Sequence, residues 1–304
     1  MYPGSEIFSI FWSVTISIKM DPEINKLYKD YSEGNIERRS FLKKLAILAG
    51  GTAAAYSLLP LLEGSGALAA PVTVQEPDLI TEMIKYPGSS GEVMAFMARP
   101  RGDKLPAVIV IHENRGLVTH IKDVTRRMAA EGFLALAPDA NSPLGGTPED
   151  DPDTGRSMIR ELDYEKTVED FVAAVKYLDT HPLTNGRVGC TGFCWGGGMT
   201  NQVAVNAPEL DAAVPYYGSQ PDSDEVTKIK AAVMAHYAGN DERINAGIPA
   251  FEQALKEAGI EYSIFIYEGA YHAFNNDTNP ERYNEEAARL AWERTIKFFK
   301  EKLE

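Results

Sequence analysis

The stretch Gly192-Phe193-Cys194-Trp195-Gly196-Gly197-Gly198 decides the fold. It follows an apolar run, 187–191, typical of a buried strand, and precedes a run, 199–207, with the composition of a helix. A strand, a sharp turn and a helix with the pattern glycine, any residue, nucleophile, any residue, glycine form a nucleophile elbow. We predict that Cys194 is the nucleophile and that the attacking species is its thiolate, at the N-terminus of a helix whose dipole favours negative charge. A glycine-rich turn with a buried structural cysteine is the alternative.

Two residues further along the chain could complete a relay with Cys194. Asp241 follows the strand-like run 231–237, and His272 follows the strand-like run 262–267. In open α/β sheets the loops after the carboxyl ends of strands meet at one edge, so the three groups are expected to meet. A cysteine nucleophile needs a base, and the base needs a group that orients it. The order therefore predicts a Cys-His-Asp triad, although Asp241 alone could be a helix N-cap and His272 a loop histidine.

Four motifs together resemble the dienelactone hydrolase (carboxymethylenebutenolidase) family of the α/β-hydrolase superfamily. They are GFCWGGG at 192–198, GND at 239–241, YHAF at 271–274 and VIVIHENRGL at 108–117. The resemblance covers nearly all of 79–303. It implies that Glu113 interacts with the Cys194 thiol, and that the backbone N–H groups of Asn114 and Trp195 form an oxyanion hole. It also implies hydrolysis of a small ester or lactone through an acyl-cysteine, with no metal and no cofactor.

One departure from the family pattern concerns the substrate. Family members that bind a ring-bearing carboxylate have an arginine four residues after the catalytic histidine, and Asn276 stands there in this chain. The neighbouring Asp277 is expected to repel a carboxylate. Other loops could supply substrate-binding groups instead, and the candidates are Arg115, Tyr271, Arg156 and Arg160. For the arginines, a solvated surface position is the alternative.

The first 70 residues form a predicted leader. Arg38 and Arg39 lie in the sequence ERRSFLKK, which resembles the twin-arginine export motif, and an apolar stretch follows at 45–62. The sequence ALAA at 67–70 resembles a signal peptidase site. We expect export by the twin-arginine translocase, a mature N-terminus near Ala70, and translation from Met20. An uncleaved membrane anchor and a plain helix in a cytoplasmic protein are the alternatives.

Composition and pattern predict one α/β domain over 71–304. The net charge is −14, and the leader is balanced, so the excess of acidic residues argues against nucleic acid and anionic membranes as partners. Eight strand-like runs alternate with five helical patterns, which predicts an α/β-hydrolase fold with a mostly parallel eight-stranded sheet and helices on both faces. The first two strands are expected as an antiparallel edge. The segment 139–163 is predicted to be an irregular loop at the rim of the site.

Two other function classes are compatible with a cysteine in this fold. A redox or sensor protein would oxidise Cys194 reversibly, but Cys190 lies inside the preceding strand and is poorly placed as a resolving cysteine. A non-catalytic binding protein would not need Glu113, Cys194, Asp241 and His272 together. The sequence therefore favours an esterase or lactonase over both.

Overall fold

The computed structural model describes residues 22–32, 36, 40–41, 44–45, 48, 78–148 and 150–304. It divides into two compact units, Met1–Val74 and Gln75–Glu304. In the first unit, helix α1 spans Pro22–Ser32, and Tyr31 stacks on Phe41 with 4.4 Å between ring centroids. The predicted start at Met20, the arginine pair 38–39, most of the apolar stretch 45–62 and the cleavage site 67–70 lie outside the described residues. None of the described helices is long and apolar enough to span a membrane.

An eight-stranded sheet organises the second unit. Its strands are β1 (Ile80–Gly88), β2 (Gly91–Arg99), β3 (Leu105–Ile111), β4 (Leu134–Pro138), β5 (Thr184–Phe193), β6 (Ala212–Tyr216), β7 (Ala232–Asn240) and β8 (Tyr262–Tyr271). The spatial order is β1-β2-β4-β3-β5-β6-β7-β8. Strand β2 is antiparallel to β1 and β4, whereas β3 to β8 run parallel. The predicted fold class and the antiparallel edge are confirmed.

Helices cover both faces of this sheet. They are α2 (Thr119–Ala130), α3 (Pro152–Glu161), α4 (Tyr164–Asp179), α5 (Trp195–Asn206), α6 (Glu242–Asn245), α7 (Ile248–Glu257) and α8 (Glu285–Leu303). Side chains of α4, α5 and α7 share one apolar core, and side chains of α2 and α8 share the other. In β3, Ile109 and Ile111 belong to the first core and Val108 and Val110 to the second. Successive side chains of a strand point to opposite faces, so a continuous apolar strand has both faces buried.

The segment 139–163 contains a helix where the sequence predicts a loop. Helix α3 begins after Asp151, whose carboxylate accepts a hydrogen bond from the Thr154 N–H at 3.0 Å, and has Pro152 in its first turn. Only Gly155 and Ile159 of this helix are buried. An apolar face this small gives no periodic signal, and the Pro, Gly and Asp residues hide the helix in the sequence.

The order of the strands places a crevice at the end of β3. From β3 the chain passes to β4 on one side and returns through α3 and α4 to β5 on the other side. In open α/β sheets such a switch leaves a crevice beyond the carboxyl ends of the two strands, and ligands bind there. The segments after β3 and β5 hold Glu113 and Cys194, two of the predicted site residues.

Candidate active site

The predicted elbow is present at the end of β5. Cys194 has φ 56° and ψ −115°, a left-handed conformation that side chains rarely adopt. Two glycines make the turn possible by close approach. A Cβ at Gly192 would lie 2.2 Å from the carbonyl oxygen of Gly196, and a Cβ at Gly196 would lie 2.4 Å from that of His112. The thiol therefore stands at the tip of a turn that packs directly against the end of β3.

The structure brings Asp241 and His272 to Cys194. Strands β7 and β8 run to Asn240 and Tyr271, a few residues further than predicted, so Asp241 and His272 follow them directly. His272 Nδ1 lies 2.5 Å from Asp241 Oδ2, and His272 Nε2 lies 3.0 Å from Cys194 Sγ. Asp241 stands at the N-cap of α6, but its side chain makes no capping hydrogen bond. Its carboxylate accepts the Nδ1–H of His272, which leaves Nε2 as an acceptor for the thiol proton.

Strained backbone concentrates at this site. Among the described residues, Lys104, Cys194, Tyr217 and Ala273 are the non-glycine residues with positive φ. Three of these four surround the thiol: Ala273 follows His272, and the Tyr217 ring lies 5.1 Å from the His272 ring. Left-handed conformations of this kind cost free energy and cluster at functional sites.

The surroundings of Cys194 determine the acidity of its thiol. Burial raises the pKa of the thiol to about 11, and the negative charge of Glu113 acts in the same direction. The N–H of Trp195 and the guanidinium of Arg243 oppose this rise but do not cancel it. A helix N-terminus favours a thiolate by a modest amount, which burial outweighs here. The thiol must therefore lose its proton before the sulfur attacks, and His272 Nε2, 3.0 Å from Sγ, is placed to accept it.

The segment after β3 lies against the thiol. The buried His112 ring connects Glu113 to the segment that follows β4. Its Nδ1 donates to the Glu113 carbonyl oxygen at 2.6 Å, and its Nε2 accepts the Ala140 N–H at 3.1 Å. These contacts fix the backbone that carries Asn114. Asn114 and Trp195 line the same cavity as Cys194, where the predicted oxyanion hole requires them. The Glu113 carboxylate accepts a hydrogen bond from Asn276 Nδ2 at 2.8 Å.

Two cavities meet at Cys194 and His272. The first, called here the arginine lobe, has a volume of about 380 Å³ and is lined by Arg156, Ile159, Arg160, Arg243, Ile244 and Tyr217. The second, called here the Glu113 lobe, has a volume of about 580 Å³ and is lined by Glu113, Arg115, Asn276, Thr278 and the segment 279–282. Among the described residues, no cluster of three or more His, Cys, Asp or Glu side chains is arranged to hold a metal ion.

The predicted substrate-binding residues divide between these spaces. Arg160 lines the arginine lobe, Arg115 lines the Glu113 lobe, and Arg156 lines both. Tyr271 is 57% exposed and lines neither lobe, but a shallow depression beside Asp241 and His272. Arg243 also lines the arginine lobe and was not predicted. Its position two residues after Asp241, in the short helix α6 that follows β7, was the available signal.

The structure places Asp277 differently from the prediction. It lines neither lobe and is partnered on the other side of its loop. The His120 ring, 3.4 Å away, and the Arg127 guanidinium, 2.7 Å away, hold the pKa of Asp277 at about 2. Its charge is compensated by these neighbours, so the prediction that Asp277 repels a substrate carboxylate is wrong.

The family follows from a direct comparison. The model of the dienelactone hydrolase family matches residues 93–303. The chain belongs to this family. A protein of Saccharolobus solfataricus named "Putative carboxymethylenebutenolidase" is 33% identical over 254 residues, covering 71% of this chain and 97% of the relative. A protein of the same name from Escherichia coli K12 is 31% identical, covering 75% of this chain and 90% of the relative.

Solved structures agree with this assignment. The crystal structure of a Klebsiella pneumoniae protein named "Putative Dienelactone Hydrolase" is 30% identical with a TM-score of 0.64, covering 73% of this chain and 98% of that one. A dienelactone hydrolase-like promiscuous phosphotriesterase from metagenomic libraries shares the fold with a TM-score of 0.66 at 20% identity, covering 74% and 99%. The chain is therefore an enzyme, an ester or lactone hydrolase. Family membership disfavours the redox-sensor and non-catalytic alternatives.

Proposed function

We propose that this enzyme hydrolyses small esters or lactones through Cys194, His272 and Asp241, with an acyl-cysteine intermediate. The observation that carries the proposal is the unbroken hydrogen-bonded chain from Sγ of Cys194 through His272 to Asp241, with separations of 3.0 and 2.5 Å. A nucleophile in contact with a base that a third group orients is the signature of this chemistry.

Acylation begins with removal of the thiol proton. His272 Nε2 accepts this proton, and the sulfur attacks the carbonyl carbon of the substrate, forming the C–S bond. The N–H groups of Asn114 and Trp195 stabilise the negative oxygen of the tetrahedral intermediate. The C–O bond to the leaving group then breaks, and the proton on His272 passes to the leaving oxygen. Asp241 stabilises the imidazolium while it carries the proton.

Deacylation reverses these roles. Water enters, His272 Nε2 takes one proton from it, and the hydroxide attacks the thioester carbonyl. The C–S bond breaks, the acid product leaves, and the proton returns to Cys194. A thiolate is a good leaving group from a tetrahedral intermediate, so acylation by poor substrates reverts. We therefore expect activated esters and enol lactones to be better substrates than amides.

The decisive experiment compares the two cysteines. Wild type, Cys194→Ala and Cys190→Ala are assayed on p-nitrophenyl esters and small lactones. Cys190 is the matched control, because it is fully buried inside β5 and contacts Thr200 Oγ1 instead of a cavity. Activity should disappear with Cys194→Ala and persist with Cys190→Ala, and mass spectrometry should trap an acyl group on Cys194. Wild-type turnover by Cys194→Ala would exclude the mechanism.

We further infer that the substrate carries an anionic group, bound in the arginine lobe. Arg156, Arg160 and Arg243 converge there in a chain whose net charge is −14. The Arg156 Nε is buried without a hydrogen-bond partner, and its ion pair with the exposed Asp153 is long, at 3.5 Å. Guanidinium groups bind carboxylates through paired N–H donors. A carboxylate-bearing lactone, the class that the name carboxymethylenebutenolidase denotes, is compatible with these residues.

We also propose that the leader exports the enzyme through the twin-arginine translocase to a periplasmic or other extracytoplasmic location. The support is the sequence: the pair Arg38 and Arg39, the apolar stretch after it, and the small residues before Pro71. Lys lacks the planar fork of a guanidinium, so replacing both arginines by Lys should leave an uncleaved precursor in the cytoplasm. Mass spectrometry of the native protein should find an N-terminus near Ala70. A soluble cytoplasmic chain starting at Met20 would contradict export.

A further inference from the structure

We propose that Asn141 is a positioning residue for substrate specificity, which holds helix α3 against the loop after β3 and so fixes Arg156 where the two lobes meet. The inference rests on the proposed binding of an anionic substrate group by the arginines of α3. Asn141 lines neither lobe, whereas Arg156 lines both. Asn141 is therefore placed to act through the helix and not on the substrate.

Asn141 lies in a buried junction between the segments that follow β3 and β4 and the first turn of α3. The residue is fully buried there. Its Nδ2 donates to Thr147 Oγ1 at 3.1 Å and to the Gly155 carbonyl oxygen at 3.2 Å. The second bond crosses from the segment after β4 to α3, at the residue that immediately precedes Arg156.

The direction of these bonds is fixed by the partners. The carboxylate of the buried Asp139 only accepts, so the Thr147 hydroxyl donates its single hydrogen to Asp139 Oδ1 at 2.6 Å. Thr147 Oγ1 is then an acceptor, for the Leu117 N–H at 3.0 Å and for Asn141. The Gly155 carbonyl oxygen also only accepts. Both groups therefore require a donor, and the amide nitrogen of Asn141 must face them.

The amide oxygen of Asn141 supports the same assignment. Oδ1 is buried and accepts no hydrogen bond from the residues that the structure describes. Burying an amide with one atom unpaired costs free energy, which an apolar side chain would avoid. The two directional N–H bonds are therefore what an asparagine supplies at this position.

Helix α3 buries little surface of its own. Only Gly155 and Ile159 of the helix are buried. Gly155 packs against the loop after β3, because a Cβ at this position would lie 2.4 Å from the Arg115 carbonyl oxygen. The hydrogen bond from Asn141 acts at the same glycine. The contact and the bond together set the place at which Arg156 enters the cavity.

The catalytic groups are held by other contacts. The loop that carries Asn114 is tied by the His112 ring, which bonds to backbone atoms of Glu113 and Ala140. A change of the Asn141 side chain removes neither bond. Loss of the Asn141 bond should therefore weaken recognition of the anionic group, which needs aligned guanidinium donors, and leave the chemistry at the thiol intact.

The test compares two esters of equal length, one with a carboxylate in its acyl group and one neutral. Asn141→Ala should raise KM for the carboxylate ester by about fivefold, the factor that one neutral hydrogen bond typically contributes. Its kcat for both esters and its KM for the neutral ester should stay within about twofold of wild type. Thr147→Val removes the acceptor for Asn141 and should act in the same direction. Thr147→Ser keeps the hydroxyl and should behave as wild type.

Asn185→Ala is the matched control for these measurements. Asn185 Nδ2 also donates to the backbone carbonyl oxygen of a helix residue, Leu303, at 2.8 Å. It lies near the start of β5, at the end of the strand opposite to the site. The control should keep wild-type kcat and KM on both esters.

Limited proteolysis measures the helix without any substrate. Trypsin cleaves after arginine, so cleavage after Arg156 and Arg160 under native conditions, located by mass spectrometry, reports loosening of α3. Cleavage should be faster in Asn141→Ala and Thr147→Val than in wild type, and unchanged in Asn185→Ala. Circular dichroism checks that each variant is folded.

The double variant separates positioning of Arg156 from a general effect. In an Arg156→Gln background, Asn141→Ala should raise KM for the carboxylate ester no further, since both changes act through one group. An equal further rise, a parallel loss of kcat on both esters, or wild-type KM in a folded Asn141→Ala enzyme would overturn the proposal. Wild-type KM in Arg156→Gln would refute the anionic substrate group and the role of Asn141 with it. An effect of Arg156→Gln without one of Asn141→Ala would refute only the positioning role.

Discussion

The cavity at Cys194 has two walls that are held in place by different means. In one wall, Cys194, Asp241 and His272 each follow directly on a strand of the parallel sheet, so the sheet fixes their backbones. The other wall is the short helix α3. It rests on the loop after β3, so closely that a Cβ at Gly155 would lie 2.4 Å from the Arg115 carbonyl oxygen.

Polar contacts hold the segment that leads from β4 to α3. Asp139 accepts hydrogen bonds from the Thr147 N–H and hydroxyl at 2.7 and 2.6 Å, and the Thr147 oxygen accepts the Leu117 N–H at 3.0 Å.

The two walls suit two different tasks, catalysis and substrate recognition. Proton transfer and covalent attack need groups fixed to a few tenths of an ångström, which strand ends provide. A surface helix can present different side chains to the substrate without disturbing the sheet, and we expect it to determine substrate choice.

The largest effect is expected on the wall of strand ends. His272→Ala should lower kcat by at least about a hundredfold, because general base catalysis contributes that much or more. Asp241→Asn should give a loss of similar order, since the amide no longer holds the same tautomer of His272. Circular dichroism checks that each variant is folded. His181→Ala, which lines neither lobe, is the matched histidine control. A folded His272→Ala enzyme with wild-type kcat would refute the relay.

A smaller and more selective effect is expected on the helix wall. Arg160→Gln should raise KM about tenfold for an ester with a carboxylate in its acyl group, since a charged hydrogen bond is worth about 1.5 kcal/mol or more. KM for a neutral ester of the same length should stay within about twofold. Arg289→Gln is the control, because Arg289 is exposed on α8 and pairs with Glu293 at 2.8 Å. Equal changes for both esters would show that the arginine lobe does not recognise charge.

The sequence predicts the strand-end residues of the site better than the helix α3 that faces them. Strand ends are visible as apolar runs that stop, and parallel strands bring their ends to one edge, so Asp241 and His272 could be assigned to one site with Cys194. Helix α3 buries too few residues to show a period, and its capping by Asp151 resembles any polar turn. Arg243 lies two residues after a predicted site residue, but the direction in which its side chain points depends on packing that a sequence pattern does not contain.

The sequence also could not predict which charges surround a site residue. The helix dipole at Cys194 can be read from the sequence, but the pKa of a buried thiol also depends on its desolvation and on which charges fold against it. The charge of Asp277 likewise depends on partners that the sequence pattern does not show. The sequence predicts that this carboxylate lies near the substrate. In the structure it pairs instead with Arg127, which lies 150 residues earlier in the chain. Such long-range partners are set by the tertiary fold.

The smallest effect concerns the stability of the loop that follows His272. The pKa of Asp277 in the folded state, about 2, lies below its ordinary value of 3.8. Its contacts with His120 and Arg127 should therefore contribute stability that is fully present above about pH 4 and is lost as the pH falls toward about 2. Asp277→Asn removes this contribution, so wild type should be the more stable protein at neutral pH, and the difference should shrink below about pH 4. Urea unfolding from pH 7 to pH 3 measures it. Asp78→Asn, which breaks an exposed pair with Arg101, should change little at any pH. A difference between wild type and Asp277→Asn that is constant down to pH 3 would mean that packing of the loop, and not the charge of Asp277, holds it.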